Sequence, residues 1–199
     1  MKKFKEDKFK NYQMKPNNFT KVICELGINH NGSIEICKKL IQQSKESGSW
    51  GVKFQYRNLK KYFKNYKNSS ELGKEIIDKE VKKNYLSPRK IKLLYKYAKN
   101  LGLKVGISFF VIEDVLDLKN LSFDFYKIPS PASDNFSLIK KLIGFKKTVM
   151  ISFGGRSLIS INKILKQIPV GFSKKIVLFH CISNYPAHIL NSNLGFIDI

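Results

Sequence analysis

Six apolar stretches of this chain each end in side chains that can do chemistry. The first carries Glu25 and then the triplet Asn29-His30-Asn31; the second carries Lys53 and Gln55; the third, Ser108. The fourth carries Lys127 and Ser130, the fifth Ser152 ahead of Gly154 and Gly155, and the sixth His180 followed by Ser183, Asn184 and Tyr185. Lys53 and Gln55 are two residues apart, so in an extended strand their side chains share a face. Charge in a buried strand is costly unless it is paired or used. Two lysines, several hydroxyls and the backbone amides near Gly154 suit a phosphate or a carboxylate. Glu25 and His180 suit a metal, a proton transfer or a sugar hydroxyl. Each residue also has a plainer reading. Glu25 and Lys53 can form a structural ion pair, His180 can be a hydrogen-bonded core histidine, and Asn29 to Asn31 can be a polar turn. Any one serine is a weak signal. The collective placement late in all six stretches points to a site, because parallel α/β proteins build their sites at the C-terminal ends of strands.

The elements that must hold these residues alternate. Strand-like runs cover residues 21–28, 51–56, 104–110, 123–130, 148–154 and 175–181. Helical patterns lie between them. Over residues 87–101, Ser87 can cap, Pro88 suits the first helical position, and Ile91, Leu94, Tyr95, Ala98 and Leu101 form one stripe ended by Gly102. Ser33 opens a second helix with Ile34, Cys37, Leu40 and Ile41 turned inward. Strands alternating with helices predict βαβ units and a parallel sheet covered on both faces. Residues 57–86 break the rhythm and are expected to be a partly helical excursion, because a structureless loop of that length is uncommon. Six βα units fall short of the eight, in about 250 residues, of a closed barrel. An open doubly wound sheet can stop at six, but no GxGxxG follows the first strand, which weakens a dinucleotide site.

The 199 residues suffice for one sizeable core, and 43% apolar content is not that of a disordered chain. No run approaches the roughly 20 apolar residues of a membrane span. Residues 1–20 read as a basic tail without the apolar stretch of a signal peptide. Three cysteines with no CxxC pair fit a reducing cytoplasm rather than a disulfide framework or zinc ribbon. The net charge of +22 raises nucleic acid as a partner, but only three of the 37 basic residues are arginine, the residue that reads phosphates and bases bidentately. Most of that charge reads as lysine on solvated helix faces.

Taken in order, "ICELGINHNG", "VKFQ", "FYKIPSP", "ISFGG" and "LFHCISNYP" resemble the sialic acid synthase family, which includes N-acetylneuraminate synthase and its legionaminic and pseudaminic acid relatives. The resemblance spans residues 22–199 and leans to the N-acetylneuraminate or legionaminate branch. It implies a transferase of carbohydrate biosynthesis that condenses phosphoenolpyruvate with an N-acetylated amino sugar such as N-acetylmannosamine, releasing phosphate. It implies a divalent metal, manganese or magnesium, and a domain-swapped homodimer of (β/α)₈ barrels, each followed by an antifreeze-like domain. By resemblance, Lys53, Lys127, Ser130 and Ser152 hold phosphoenolpyruvate, and Gln55 and Ser108 line the same pocket. His180 is one metal ligand, and Glu25, Asn184 and Tyr185 face the sugar or a metal-bound water.

The chain departs from the pattern in places. Ser108-Phe109 stands where a threonine-proline pair is usual, Phe153-Gly154-Gly155 where "TGM" is, and Ala132 where an acidic residue is common, with Asp134 nearby. The resemblance further implies that a "GYSDHT"-like seventh strand, with a second histidine ligand, and the antifreeze-like domain lie past Ile199. The expected fold is therefore an incomplete TIM-type (β/α) barrel over residues 21–199, with about six of eight units. Two other functions stay open: a non-catalytic remnant that binds a partner through open sheet edges, and a basic nucleic-acid-binding protein.

Overall fold

The structure, a computed structural model, describes residues 20–66, 74–184 and 186–198. The basic tail up to residue 19 and Tyr185 lie outside the described residues. Six parallel strands form one sheet: β1 (Ile23–Gly27), β2 (Gly51–Gln55), β3 (Lys104–Ser108), β4 (Phe125–Ile128), β5 (Thr148–Ser152) and β6 (Ile176–Phe179), neighbouring one another in chain order. Helices α1 (Ile34–Glu46), α4 (Pro88–Asn100), α5 (Ile112–Asp117), α6 (Phe136–Ile143) and α7 (Leu158–Leu165) make the crossovers. The excursion after β2 supplies α2 (Leu59–Tyr66) and α3 (Lys74–Lys83), so it is more helical than loop. Each strand is shorter than its apolar run; Glu25, Lys53, Gln55, Ser108, Lys127 and Ser152 lie within the strands, while Ser130 and His180 fall just beyond them. None of the described helices is long and apolar enough to cross a membrane.

The helices start where side chains can satisfy their first free N–H groups. Ser33 Oγ accepts from Ile36 N–H at 3.2 Å to open α1, and Ser87 Oγ accepts from Lys90 N–H at 3.4 Å to open α4, with Pro88 in the first turn. Beyond α4, Gly102 takes φ +78°, a conformation that costs a glycine little. The stripes then close on the sheet. Cys37, Ile41, Ile91, Leu94 and Ala98 join Val52, Phe54, Val105, Ile107, Tyr126, Ile128, Val149 and Ile151 in one buried cluster. These strand residues alternate with the polar ones, so the apolar core lies between sheet and helices and the other face looks into the barrel.

Pairing register organises that inner face. Lys53 lies beside Glu25 on one side and Gly106 on the other, and Gly106 lies beside Phe125. A Cβ on Gly106 would sit 2.0 Å from Cε2 of the Phe125 ring, so glycine here is what lets that ring cross the barrel floor. Trp50 stacks on Phe125 with centroids 5.7 Å apart. The floor therefore carries aromatic rings, and the polar groups gather at the opposite, C-terminal end. At the sheet's edge β6 is not covered on both faces, as six strands of a barrel would leave it: Val177, Leu178 and Phe179 are 41, 47 and 38% exposed. Among the described residues β1 and β6 each pair on one side only, so the barrel is open between them.

Candidate functional site

Lys53 is the centre of the arrangement. It projects from the middle of β2 and is 7% exposed. Its Nζ donates to Ser108 Oγ at 2.8 Å and forms an ion pair with the Glu25 carboxylate. Burial holds the Lys53 ammonium below its usual pKa, and Lys127 pushes the same way, while the Glu25 charge and hydrogen bond pull it back up. One carboxylate thus stands against two ammonium groups within electrostatic reach of each other. Such a pair favours an anion that bridges both.

Lys127 sits in β4 in register with Ser108, which is itself in register with Gln55. Its Nζ lies 5.3 Å over the Phe179 ring of β6. Just past β4, Ser130 opens a 3₁₀ turn, and its Oγ accepts from Gly154 N–H at 2.9 Å. A Cβ on Gly154 would come within 2.6 Å of Ser183 Oγ and 2.9 Å of Ser130 Oγ, so backbone and two hydroxyls crowd together there. Ser152 Oγ, at the end of β5, is buried with no hydrogen-bond partner among the described residues. Buried hydroxyls are normally satisfied, so an orphan one calls for an explanation.

Glu25 is held at the rim by its own turn. The pairing of β1 with β2 slips between Glu25 and Gly27, and Gly27 takes φ +44° with the Glu25 carboxylate beside it. The Asn29 to Asn31 triplet behaves as a polar turn: Asn29 Nδ2 donates to Glu25 O at 3.2 Å, and buried His30 accepts from Gly32 N–H at Nδ1, 3.0 Å away. Burial lowers the His30 pKa; a backbone bond to Gly27 opposes this and Lys90 adds to it. The plain reading of Glu25 and Lys53 as an ion pair is correct, and the pair sits beside Ser108 and within electrostatic reach of Lys127.

His180 has partners of its own. Its ring is hydrogen-bonded through Nε2 to Ser192 O at 2.8 Å and stacks on Phe196 with centroids 5.1 Å apart. Asn184 is exposed. Among the described residues no three of His, Cys, Asp and Glu come together as a metal site.

Sequence reasoning missed the residues that fasten the rim. Asp114, fully buried, accepts from the backbone N–H of Asn58 at 2.6 Å, Phe110 at 2.7 Å and Val111 at 3.0 Å, joining the loops after β2 and β3. Burial raises its pKa, against those three bonds and the charge of Arg57. Its signal was an acidic residue three past a helix's first cap position. Arg156 donates from Nε to Ser133 Oγ at 3.1 Å and pairs with Asp134 at 2.9 Å, joining the loops after β4 and β5. Asp134, two residues past Ala132, is therefore engaged by Arg156. Beside Gln55 a cavity of about 260 Å³ opens between the β1–α1 turn, the end of β2 and α3.

A model of the NeuB family matches residues 40–199. The N,N'-diacetyllegionaminic acid synthase of Campylobacter jejuni is 31% identical over 183 residues, covering 88% of this chain and 55% of that protein. The N-acetylneuraminate-9-phosphate synthase of Drosophila melanogaster is 28% identical over 187 residues, covering 89% and 49%. The chain thus spans about half the length of the curated relatives it matches. Among solved structures, the N-acetylneuraminic acid synthetase of Leptospira borgpetersenii, in complex with citrate, superposes with a TM-score of 0.77 at 23% identity, over 92% of this chain and 61% of that one. The spore coat polysaccharide biosynthesis protein E of Chromobacterium violaceum gives 0.76 at 25% identity, over 88% and 53%. These likenesses, with six parallel strands alternating with helices, make the fold a TIM-type barrel arrangement.

Proposed function

The chain belongs to the NeuB family, and on that premise we propose that it forms the phosphoenolpyruvate-holding portion of a nonulosonate synthase barrel, the whole enzyme joining phosphoenolpyruvate to an N-acylated amino sugar in carbohydrate biosynthesis. The observation that carries the proposal is the buried Lys53 ammonium, bonded to Ser108 and repelled by Lys127; the unpartnered hydroxyl of Ser152, at the end of β5, supports it. A dianionic phosphate with a nearby carboxylate would relieve the lysine repulsion and give Ser152 a partner. Lys53, Lys127, Ser130 and Ser152 are proposed to hold the phosphate and carboxylate. Gln55 and Ser108 line that pocket.

In the reaction so proposed, C3 of phosphoenolpyruvate bonds to the aldehyde carbon of the open-chain sugar. Water adds at C2, and the C2–O bond to phosphate then breaks. The two lysines keep the phosphate fixed and stabilise the charge it carries away. Glu25, at the rim and half-exposed, is proposed to exchange a proton with the sugar or with the attacking water once the anion has taken its place on Lys53. Asn184 and Tyr185 are assigned to the sugar side. The family resemblance implies a divalent metal that polarises the aldehyde oxygen. The described residues do not assemble a place for one, and the His180 Nε2 is engaged by the Ser192 carbonyl, so no step here runs through a metal.

Because the chain spans half the length of its relatives, catalysis is proposed for this portion acting with the rest of such a barrel, and homodimerisation likewise. Three unpaired cysteines agree with a cytoplasmic setting. One observation favours a second, non-catalytic reading: the exposed apolar strand β6 would suit a binding partner. Phosphate release from phosphoenolpyruvate, N-acetylmannosamine and manganese separates them. Release by this chain combined with the C-terminal half of a relative supports the synthase; binding of that half without release supports the second reading.

A further inference from the structure

The hydroxyl of Ser130 and the amide of Gly154 meet beyond the reach of the sheet. Pairing of β4 with β5 ends at Ile128 and Ile151, so ladder bonds between these strands hold neither residue. Side chains span the gap instead. Ser130 Oγ accepts from Gly154 N–H at 2.9 Å. Ser133, fully buried, donates from Oγ to Ser130 O at 2.8 Å. Arg156 donates from Nε to Ser133 Oγ at 3.1 Å, and its Nη1 pairs with Asp134 at 2.9 Å. A guanidinium only donates and a hydroxyl has one proton, so the direction of each of these bonds is fixed by chemistry.

The bonds close a ring. Arg156 N–H donates to Phe153 O at 3.2 Å across a turn in which Gly155 takes φ +69°. That turn presents the Gly154 N–H, and the Arg156 side chain reaches back to the segment that carries Ser130. Gly154 has no room to yield, since a Cβ there would lie 2.9 Å from Ser130 Oγ. With one lone pair of Ser130 Oγ given to Gly154, the hydroxyl proton points elsewhere and can serve an anion. The bonds of Arg156 among the described residues go to Ser133, Asp134 and Phe153, and none goes to a group assigned to the anion.

We propose that Arg156 is a positioning residue for the anion site: it ties the segment after β4 to the turn after β5 and so sets the Ser130 hydroxyl where phosphoenolpyruvate takes it. The proposal rests on the synthase reading above. Its test is calorimetric titration of phosphoenolpyruvate into the wild type, Arg156→Met, Arg156→Lys, Ser133→Ala, Ser130→Ala and the double variant Ser130→Ala, Arg156→Met, with urea unfolding of each. Arg156→Met and Ser133→Ala should each lose about 10-fold in affinity. Arg156→Lys should recover little, because an ammonium lacks the fork that holds Ser133 and Asp134 together. With Ser130 already replaced, Arg156→Met should cost nothing further. Unchanged affinity in Arg156→Met or Ser133→Ala, whatever the urea midpoint does, overturns the proposal and leaves the arginine a clamp for stability alone. Full affinity in Arg156→Lys, or an undiminished loss in the Ser130→Ala background, also overturns it and makes the charge itself the contribution. In these cases the wild type still binds phosphoenolpyruvate and the synthase reading stands. A wild type that does not bind phosphoenolpyruvate overturns both.

Discussion

Replacing Lys53 with methionine separates use from architecture. The substitution keeps the length of the side chain and removes its charge. An ammonium bonded to a phosphate oxygen contributes about 1.5–3 kcal/mol, so its loss should weaken phosphoenolpyruvate binding roughly 10- to 150-fold. Stability should barely move. The wild type already bears the desolvation of a buried ammonium, seen in its depressed pKa. Its partner Glu25 is 49% exposed and regains water when the lysine is gone. Ser108 loses one donor at a cost of about 1–3 kcal/mol, while burying a methionine in place of the charge returns a similar amount. The expected change in unfolding free energy is within about 1 kcal/mol, read by urea titration beside calorimetry with phosphoenolpyruvate. A pH series adds a check on sign. Lys53 binds its proton less readily folded than unfolded, so below 10.5 the unfolded chain holds more protons and stability rises with pH from the depressed pKa up to that value. Lys53→Met should lack that rise. An unchanged affinity, or a destabilisation of about 3 kcal/mol or more as for a broken structural ion pair, would refute the reasoning.

Two further outcomes follow from the packing and the turn. Gly106→Ala drives a methyl into the Phe125 ring and should cost about 1–3 kcal/mol or more in urea unfolding; the double change Gly106→Ala, Phe125→Leu should recover part of that loss. His30 is buried with its pKa held below 6.5, so it must be charged on unfolding in acid: wild-type stability should fall as pH drops from about 6.5 through that lowered value, and His30→Gln should flatten the fall in the same urea titrations.

Much of the architecture was legible because periodicity reports burial. Ile91, Leu94 and Ala98 are fully buried at the spacing of one helix face, and alternation in the strands put Val52 and Phe54 outward and Lys53 and Gln55 inward. What could not be read was how far each strand extends, since an apolar run continues into turns whose hydrogen bonds are set by other loops. The excursion over residues 57–86 looked polar, and among the described residues of its two helices only Tyr62 is buried. In the candidate site, Lys53, Ser108 and Glu25 could be found singly, and the structure brings them together. Asp114 gave a local capping signal that did not reveal its bond to Asn58, and Arg156 escaped because its partners lie in another loop, a pairing that local spacing does not encode. The partner of His180 was equally out of reach of local spacing: the carbonyl that engages it belongs to Ser192, twelve residues on.

The central claim is that the C-terminal ends of β2 to β5 hold phosphoenolpyruvate. The most direct measurement is the phosphorus resonance of phosphoenolpyruvate titrated with this chain and with the double variant Lys53→Met, Lys127→Met. A saturable shift with the wild type that disappears in the folded double variant is the predicted result. No shift with the wild type, or the same shift with both proteins, would contradict it.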